Sequence, residues 1–187
     1  MRMTRVTTAE LDRLEFHAVR SGEHGEVAVR LLDLANRVDS KSEISRAELF
    51  VRAGEQWEIA QEYERACAAY QRAIDDGGPT AIDARALSAG ALLQLDELEQ
   101  AEAQLKRLES EEPSGLQTYL HVTEALYAHG DLEGAERWAT EGARRFPVRG
   151  PAPCGHDLLG ELLRIRFRVR ADLGLPEDEL DRHLDEG

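Results

Sequence analysis

The chain has 187 residues, with 37 acidic and 23 basic side chains and a formal net charge of −14. Hydrophobic residues make up 42% of it, which is enough for a packed core and excludes a disordered chain. The negative charge disfavours nucleic-acid binding, because phosphate contacts need a basic face. We therefore predict one compact acidic domain over residues 1–187 that takes neither DNA nor RNA as a partner.

Two amphipathic helices are predicted at the N-terminal end, over residues 8–20 and 25–38. Apolar side chains recur there every three to four positions, which is typical of helices with one buried face. The segment SGEHGE forms the turn between them. A polar linker, residues 39–45, follows the second helix and separates this pair from the rest of the chain.

Three further helix pairs follow. Alanines and prolines recur along them at nearly the same spacing. Alanines recur 35 and then 34 residues apart, and prolines recur 34 residues apart. Ser45 and Glu48 have the spacing of a capping box and mark the N-terminus of the first of these helices. The period indicates repeats at 46–79, 80–113 and 114–147. The predicted helices are 46–60 with 62–76, 80–94 with 96–110, and 114–128 with 131–145; the markers are Ala66, Ala101, Ala135, Pro79, Pro113 and Pro147.

The C-terminal region begins with a loop, residues 148–155, that is rich in proline and glycine. The stretch RIRFRVR within residues 156–173 alternates arginine with apolar residues, as a strand does. A helical stripe also fits, and a lone strand would have no sheet to join, so we predict a helix. The segment PEDELDRHL predicts a short last helix. Together residues 156–185 form a predicted capping pair; the helical stripe is Leu158, Leu162, Ile165, Val169 and Leu173.

The repeated residues resemble the tetratricopeptide repeat family, whose unit is a helix–turn–helix of 34 residues. Large and small residues recur at the family's packing positions, although Arg85 departs from the pattern. Residues 8–38 resemble a degenerate first unit, in which Val27 replaces the alanine and Glu15 stands where a small residue is expected. The resemblance implies an all-α, right-handed superhelix (solenoid) of antiparallel helix pairs. The matching positions are Phe50 and Tyr119, Gly54 and Ala89, Trp57, Leu92 and Leu126, the three alanines, and Tyr70 with Leu105.

Motifs for catalysis, nucleotides and metals are missing from the sequence, so we predict a non-enzymatic protein without a cofactor. Cys154 and His156 lie two residues apart, but two ligands alone do not make a metal site. A set of alternate arginines, 164, 166, 168 and 170, forms the one basic patch. It could bind an acidic partner or phosphate, or its members could pair with nearby acids and cover apolar surface.

The resemblance implies a concave face, lined by the first helix of each pair, that binds a peptide or helix of a protein partner. The lysine and asparagine clamp with which some family members hold a C-terminal carboxylate is missing. The acidic residues on this face instead favour a basic or apolar-basic segment, and Glu55 and Glu58 are expected to be exposed. The predicted contact residues are Arg13, Phe16, Arg20, Glu48, Arg52, Glu55, Glu58, Leu87, Leu93, His121, Glu124 and Tyr127.

Two alternative functions remain open on the sequence alone. The protein could be a regulatory subunit that forms homo-oligomers through its C-terminal helices, or an enzyme with an unrecognised site. No apolar run of about 18 residues occurs, so no membrane span is predicted. The N-terminus lacks the apolar core of a secretion signal, and Cys67 and Cys154 form no disulfide framework, so we expect a cytoplasmic location. Only Lys41 and Lys106 are lysines, which indicates GC-rich, bacterial coding.

Overall fold

The computed structural model describes residues 3–113, 115–147 and 158–182. Within these ranges the chain forms α-helices and no strand, apart from one isolated parallel bridge between Thr4 and Val38. The all-α prediction is therefore confirmed. The helices are α1 Thr8–Ser21, α2 His24–Arg37, α3 Arg46–Ile59, α4 Tyr63–Asp76, α5 Ala84–Gln94, α6 Leu98–Glu111, α7 Leu116–His129, α8 Leu132–Arg145, α9 Leu158–Asp172 and α10 Glu179–Arg182.

Most helices begin close to their predicted starts, and at α3 the predicted capping signal acts as expected. The Ser45 hydroxyl accepts a hydrogen bond from the backbone N–H of Glu48 at 2.8 Å. The exception is α5, which begins at Ala84 instead of residue 80. Asp83 caps this helix, and its carboxylate accepts from the backbone N–H of Arg85 at 2.9 Å. An N-cap aspartate fixes the first turn, so the residues before it stay outside the helix.

The chain divides into two compact units, residues 1–104 and 105–187. In the first unit each helix from α1 to α5 packs against the next, and α3 also contacts α5. Leu31, Leu49 and Tyr70 are fully buried in its core, together with alanines at the helix crossings. At Gly54 a Cβ atom would lie 2.3 Å from Cε1 of Tyr70, so only glycine lets this ring approach α3. This dense packing explains the small residues of the repeat pattern.

In the second unit α7 pairs with α8, and α9 packs against both of them. Its core contains Trp138, Leu162 and Val169, and the ring of Trp138 lies 5.5 Å from that of Tyr119. The tetratricopeptide-like arrangement of consecutive helix pairs thus holds within each unit. The expectation of a single domain over residues 1–187 stays a prediction.

One backbone conformation recurs at the turn inside the helix pairs. Gly22, Gln61, Asp96 and Gly130 each lie one or two residues beyond a first helix, at φ values of 76°, 62°, 60° and 92°. This left-handed region suits glycine and costs other residues about 1–2 kcal/mol. The repeat is therefore visible in the backbone even where the side chains differ.

The segment RIRFRVR is helical, as predicted, and belongs to α9. Arg166 is only 1% exposed and donates to Thr140 Oγ1 at 2.7 Å and to Asp181 Oδ1 at 2.5 Å. Arg170 donates to Glu136 at 2.9 Å and to Asp181 Oδ2 at 3.1 Å. These bonds join α10 to α9 and α9 to α8, as expected of a capping pair. The parts of that prediction at 156–157 and 183–185 lie outside the described residues.

Candidate functional site

Three glutamates of the first unit surround Arg52 of α3, and a fourth lies one turn further along the same helix. Arg52 Nε donates to Glu48 Oε1 at 2.8 Å, and its Nη1 lies 3.5 Å from Glu55 Oε2. The same nitrogen lies 3.8 Å from Oε1 of Glu15, which comes from α1. Glu58 lies one turn after Glu55 and repels it electrostatically. We call Glu15, Glu48, Arg52, Glu55 and Glu58 the acidic cluster; it carries four acids against one base.

The acidic cluster is half-buried, and this changes the pKa values of its members. Burial raises the pKa of Glu55 to about 7; attraction to Arg52 opposes this rise, whereas repulsion from Glu48 and Glu15 adds to it. Burial also raises the pKa of Glu58 to about 7, against an interaction with Tyr70 and with added repulsion from Glu55. Burial alone would lower the pKa of Arg52, but the surrounding glutamates outweigh it and raise that pKa. The cluster therefore holds more negative charge than its one arginine can balance.

The hydroxyl of Tyr70, from α4, also faces this cluster. Tyr70 is fully buried, and its hydroxyl meets no hydrogen-bond partner of suitable geometry. Burial raises the pKa of this phenol, and the carboxylates of Glu58 and Glu55 raise it further. The hydroxyl therefore lies beside both carboxylates and interacts with Glu58, although the geometry is not that of a standard hydrogen bond.

The structure corrects the expectation that Glu55 and Glu58 are exposed. Both are half-buried; α2 and α4 pack against α3, and Tyr70 of α4 lies beside the two carboxylates. Sequence reasoning also missed two members of the site. Glu15 was recognisable as a charged residue at a position where the repeat expects a small one. Tyr70 was assigned to packing alone, and nothing in the sequence indicates where its hydroxyl points.

The other predicted contacts on α1 lie apart from the acidic cluster. Arg13 Nε donates to the carbonyl of Ala9 at 3.0 Å, and the guanidinium of Arg20 lies 5.9 Å from the ring centre of Phe16. The Phe16 side chain is 63% exposed. These three residues are accessible, but their contacts stay within their own helix.

Leu87 and Leu93 were predicted to contact the partner, and the structure contradicts this. Both are buried, and Leu87 belongs to the core of the first unit. The reason is that α5 is covered on more than one side, so most of its residues are buried and little apolar surface remains. Exposed apolar side chains occur instead at Val19 and Ile59, which are 71% and 56% exposed.

The predicted residues of the second unit lie on α7. Burial lowers the pKa of His121 to about 4, and its Nε2 has no hydrogen-bond partner, so this imidazole is neutral at pH 7. Partial burial raises the pKa of Glu124, and repulsion from Glu161 adds to the rise. The hydroxyl of Tyr127 donates to Asp172 on α9 at 2.8 Å. Tyr127 thus helps to hold the capping helix, which leaves its hydroxyl engaged within the protein.

Two other sequence hypotheses can be compared with the described part of the chain. Arg166 and Arg170 pair with acids of the second unit, whereas Arg164 and Arg168 are exposed. Among the described residues, no three histidine, cysteine or acidic side chains converge as metal ligands would. Cys154 and His156 lie outside the described residues. The described helices include none that is long and apolar enough to cross a membrane.

Comparison with known proteins gives little beyond this geometry. No protein-family model matches the chain, and neither does any curated protein sequence. Among solved structures, MamA of MSR-1 is 18% identical over 94% of each chain, with a TM-score of 0.48. MamA of AMB-1 is 16% identical over 94% of this chain and 90% of its own, also with a TM-score of 0.48.

Proposed function

We propose that this protein is a non-enzymatic scaffold of the tetratricopeptide type that binds a basic, partly apolar segment of a partner protein at the acidic cluster. The observation that carries the proposal is the uncompensated charge of this half-buried cluster, in which three carboxylates surround Arg52 and a fourth, that of Glu58, lies one turn further along α3. Burial weakens the screening of these charges by water, so a cationic partner gains more here than at an open surface.

Apolar residues beside the acidic cluster supply the second half of the proposed surface. Val19 follows Glu15 by four positions on α1, and Ile59 follows Glu55 by four positions on α3. Residues four apart lie on the same side of a helix, so each exposed apolar side chain lies on the same side as a glutamate of the acidic cluster. A segment that places basic side chains on the cluster can therefore cover Val19 and Ile59 with apolar ones. Charge steers such a partner and apolar contact holds it.

Selection from a random peptide library against the full chain tests this function. We expect the selected peptides to be enriched in basic and apolar residues and to bind more weakly as salt is raised. Val19→Ser with Ile59→Ser should weaken binding by about tenfold, in line with the loss of two apolar contacts. The matched control is Val29→Ser, which removes a 56% exposed side chain from α2. Selection of acidic peptides, or equal losses in the control, would refute the proposal.

Self-association through the C-terminal helices is the second candidate function. It is favoured by two exposed apolar side chains of the second unit, Phe167 on α9 at 41% and Leu175 at 44%. Size-exclusion chromatography with light scattering distinguishes the two functions. A dimer that Phe167→Ser converts to a monomer would support self-association, whereas a monomer at all concentrations would leave the acidic cluster as the interaction surface.

A further inference from the structure

The last described segment of the chain, residues 176–182, is held on the second unit by charged contacts; we call it the strap. Asp178 accepts from both terminal nitrogens of Arg166, with Nη1 at 3.0 Å from Oδ1. Asp181 accepts from Arg166 Nη1 at 2.5 Å and from Arg170 Nε at 3.1 Å. Apolar packing adds little, because Asp181 is the only buried residue of the strap, which is described throughout. The strap can therefore open without exposing a hydrophobic core.

The strap covers Arg166 and Arg170, which we call the arginine site. Arg166 is 1% exposed, and its Nε donates to Thr140 Oγ1 at 2.7 Å, so α8 fixes the direction of the two remaining nitrogens. Arg170 lies one turn further along α9 and donates to Glu136 at 2.9 Å. Once the strap leaves, Glu136 is the one acid in the described ranges that stays paired with the two arginines. The opened arginine site then carries more positive than negative charge.

A cavity of about 510 Å³ extends the arginine site beyond the strap. Arg166, Arg170 and Asp178 line it, and so does Arg144 of α8. Arg144 follows Thr140 by one turn, which places it roughly 6 Å along the helix axis from the residue that holds Arg166. It is exposed, and no acid in the described part of the chain forms an ion pair with it. An acidic ligand in the cavity therefore gains a cation that the strap does not use.

We propose that the arginine site binds an acidic segment of a partner protein, and that the strap occupies the site in cis until such a segment displaces it. In the closed state Asp178 and Asp181 act as the ligand, since two carboxylates three residues apart meet both arginines. In the open state the carboxylates of the partner pair with the arginine site, and a further one reaches Arg144. The site lies in the second unit and does not depend on the function proposed above.

The test is a titration of the full chain with the fluorescently labelled peptide EEDEEDEE, blocked at both ends, which repeats the spacing of the two strap aspartates. Asp178→Asn with Asp181→Asn should release the strap and increase the affinity for the peptide at least about tenfold, because the closed state no longer competes. The control, Glu177→Gln with Glu179→Gln, removes the same charge from exposed strap residues and should change the affinity less than about twofold. Circular dichroism checks that each variant keeps its helices.

Two further measurements locate the peptide. In the released variant, Arg144→Gln should weaken binding about fivefold, whereas Arg164→Gln, on the exposed side of α9, should leave it unchanged. In the unmodified chain the backbone N–H of Asp178 donates to Asp181 Oδ2 at 3.0 Å within the strap. Saturating peptide should speed the hydrogen exchange of this amide, and this measurement decides alone if the released variant loses its helices.

The inference is overturned if no form of the chain binds the peptide saturably, or if the control gains as much affinity as the released variant. Equal effects of Arg144→Gln and Arg164→Gln would exclude the cavity, and binding without faster exchange at Asp178 would exclude displacement of the strap. Inorganic phosphate at equal ionic strength should compete only weakly, and equal competition would make this a general anion site. A dimer that Asp178→Asn with Asp181→Asn abolishes would assign the site to the strap of a second copy instead.

Discussion

Replacing Glu58 with glutamine should stabilise the folded chain at pH 8 and do so much less at pH 5. Burial raises the pKa of Glu58 from its ordinary 4.5 to about 7, so the folded state holds a proton more tightly than the unfolded state. Such a group favours folding at low pH, and this contribution is lost as pH rises from about 4.5 to about 7. Above that window the folded chain carries a poorly solvated charge that glutamine lacks.

The magnitude follows from the same pKa. Each pKa unit is worth about 1.4 kcal/mol, so the upper limit is about 3 kcal/mol at pH 8. Glu58 is only half-buried, and solvent reduces the effect, so we expect about 1–2 kcal/mol. This corresponds to a rise in Tm of roughly 3–6 °C for a chain of this size. Urea unfolding followed by circular dichroism at both pH values measures it, with the exposed Glu26→Gln as the control. A loss of stability at pH 8, or equal changes at the two pH values, would refute this electrostatic account.

Other substitutions test the packing and the turns, each by urea unfolding. Ala101→Trp should destabilise the chain by about 1–3 kcal/mol or more, since this alanine is 1% exposed; an unchanged stability would mean that the repeat register is wrong. Arg166→Met should cost about 3–5 kcal/mol, because it removes the buried guanidinium that pairs with Asp181 and Asp178 and leaves Asp181 with Arg170 as its one remaining cation among the described residues, whereas Arg164→Met on the exposed side of α9 should be nearly neutral. Gln61→Gly should stabilise by up to about 1 kcal/mol by relieving the left-handed backbone; a loss greater than that would show that the side chain matters more than the turn.

The helices could be predicted because their signals are local. Alanine and proline recur with the repeat, and Ser45 caps α3 through atoms only three residues away. The late start of α5 was also encoded locally, in the N-cap residue Asp83. The burial of Leu87 and Leu93 had a signal as well, since α5 has no charged residue after Arg85, and a helix that is apolar all round is buried.

The acidic cluster was only partly predictable, because it depends on contacts between helices. Glu48, Arg52 and Glu55 share a side of α3, which helical spacing shows. That Glu15 reaches Arg52 depends on how α1 lies beside α3, and the position of the Tyr70 hydroxyl depends on α4. Sequence reasoning treats carboxylates as solvated by default. The pKa values of Glu55 and Glu58 near 7 depend on neighbours that are distant in the chain, so no local pattern predicts them.

The shared turn conformation makes the length of this protein easy to alter. Gln61 and Asp96 leave their first helices in the same left-handed state, at 62° and 60°, and a glutamate follows each of them. Deleting residues 62–96 would join Gln61 to Glu97 and continue into Leu98, where the original chain continues from Glu62 into Tyr63. Duplicating the same stretch would add a helix pair through an equivalent junction. Unequal recombination between two such turns can therefore remove or add a helix pair without requiring a new loop conformation.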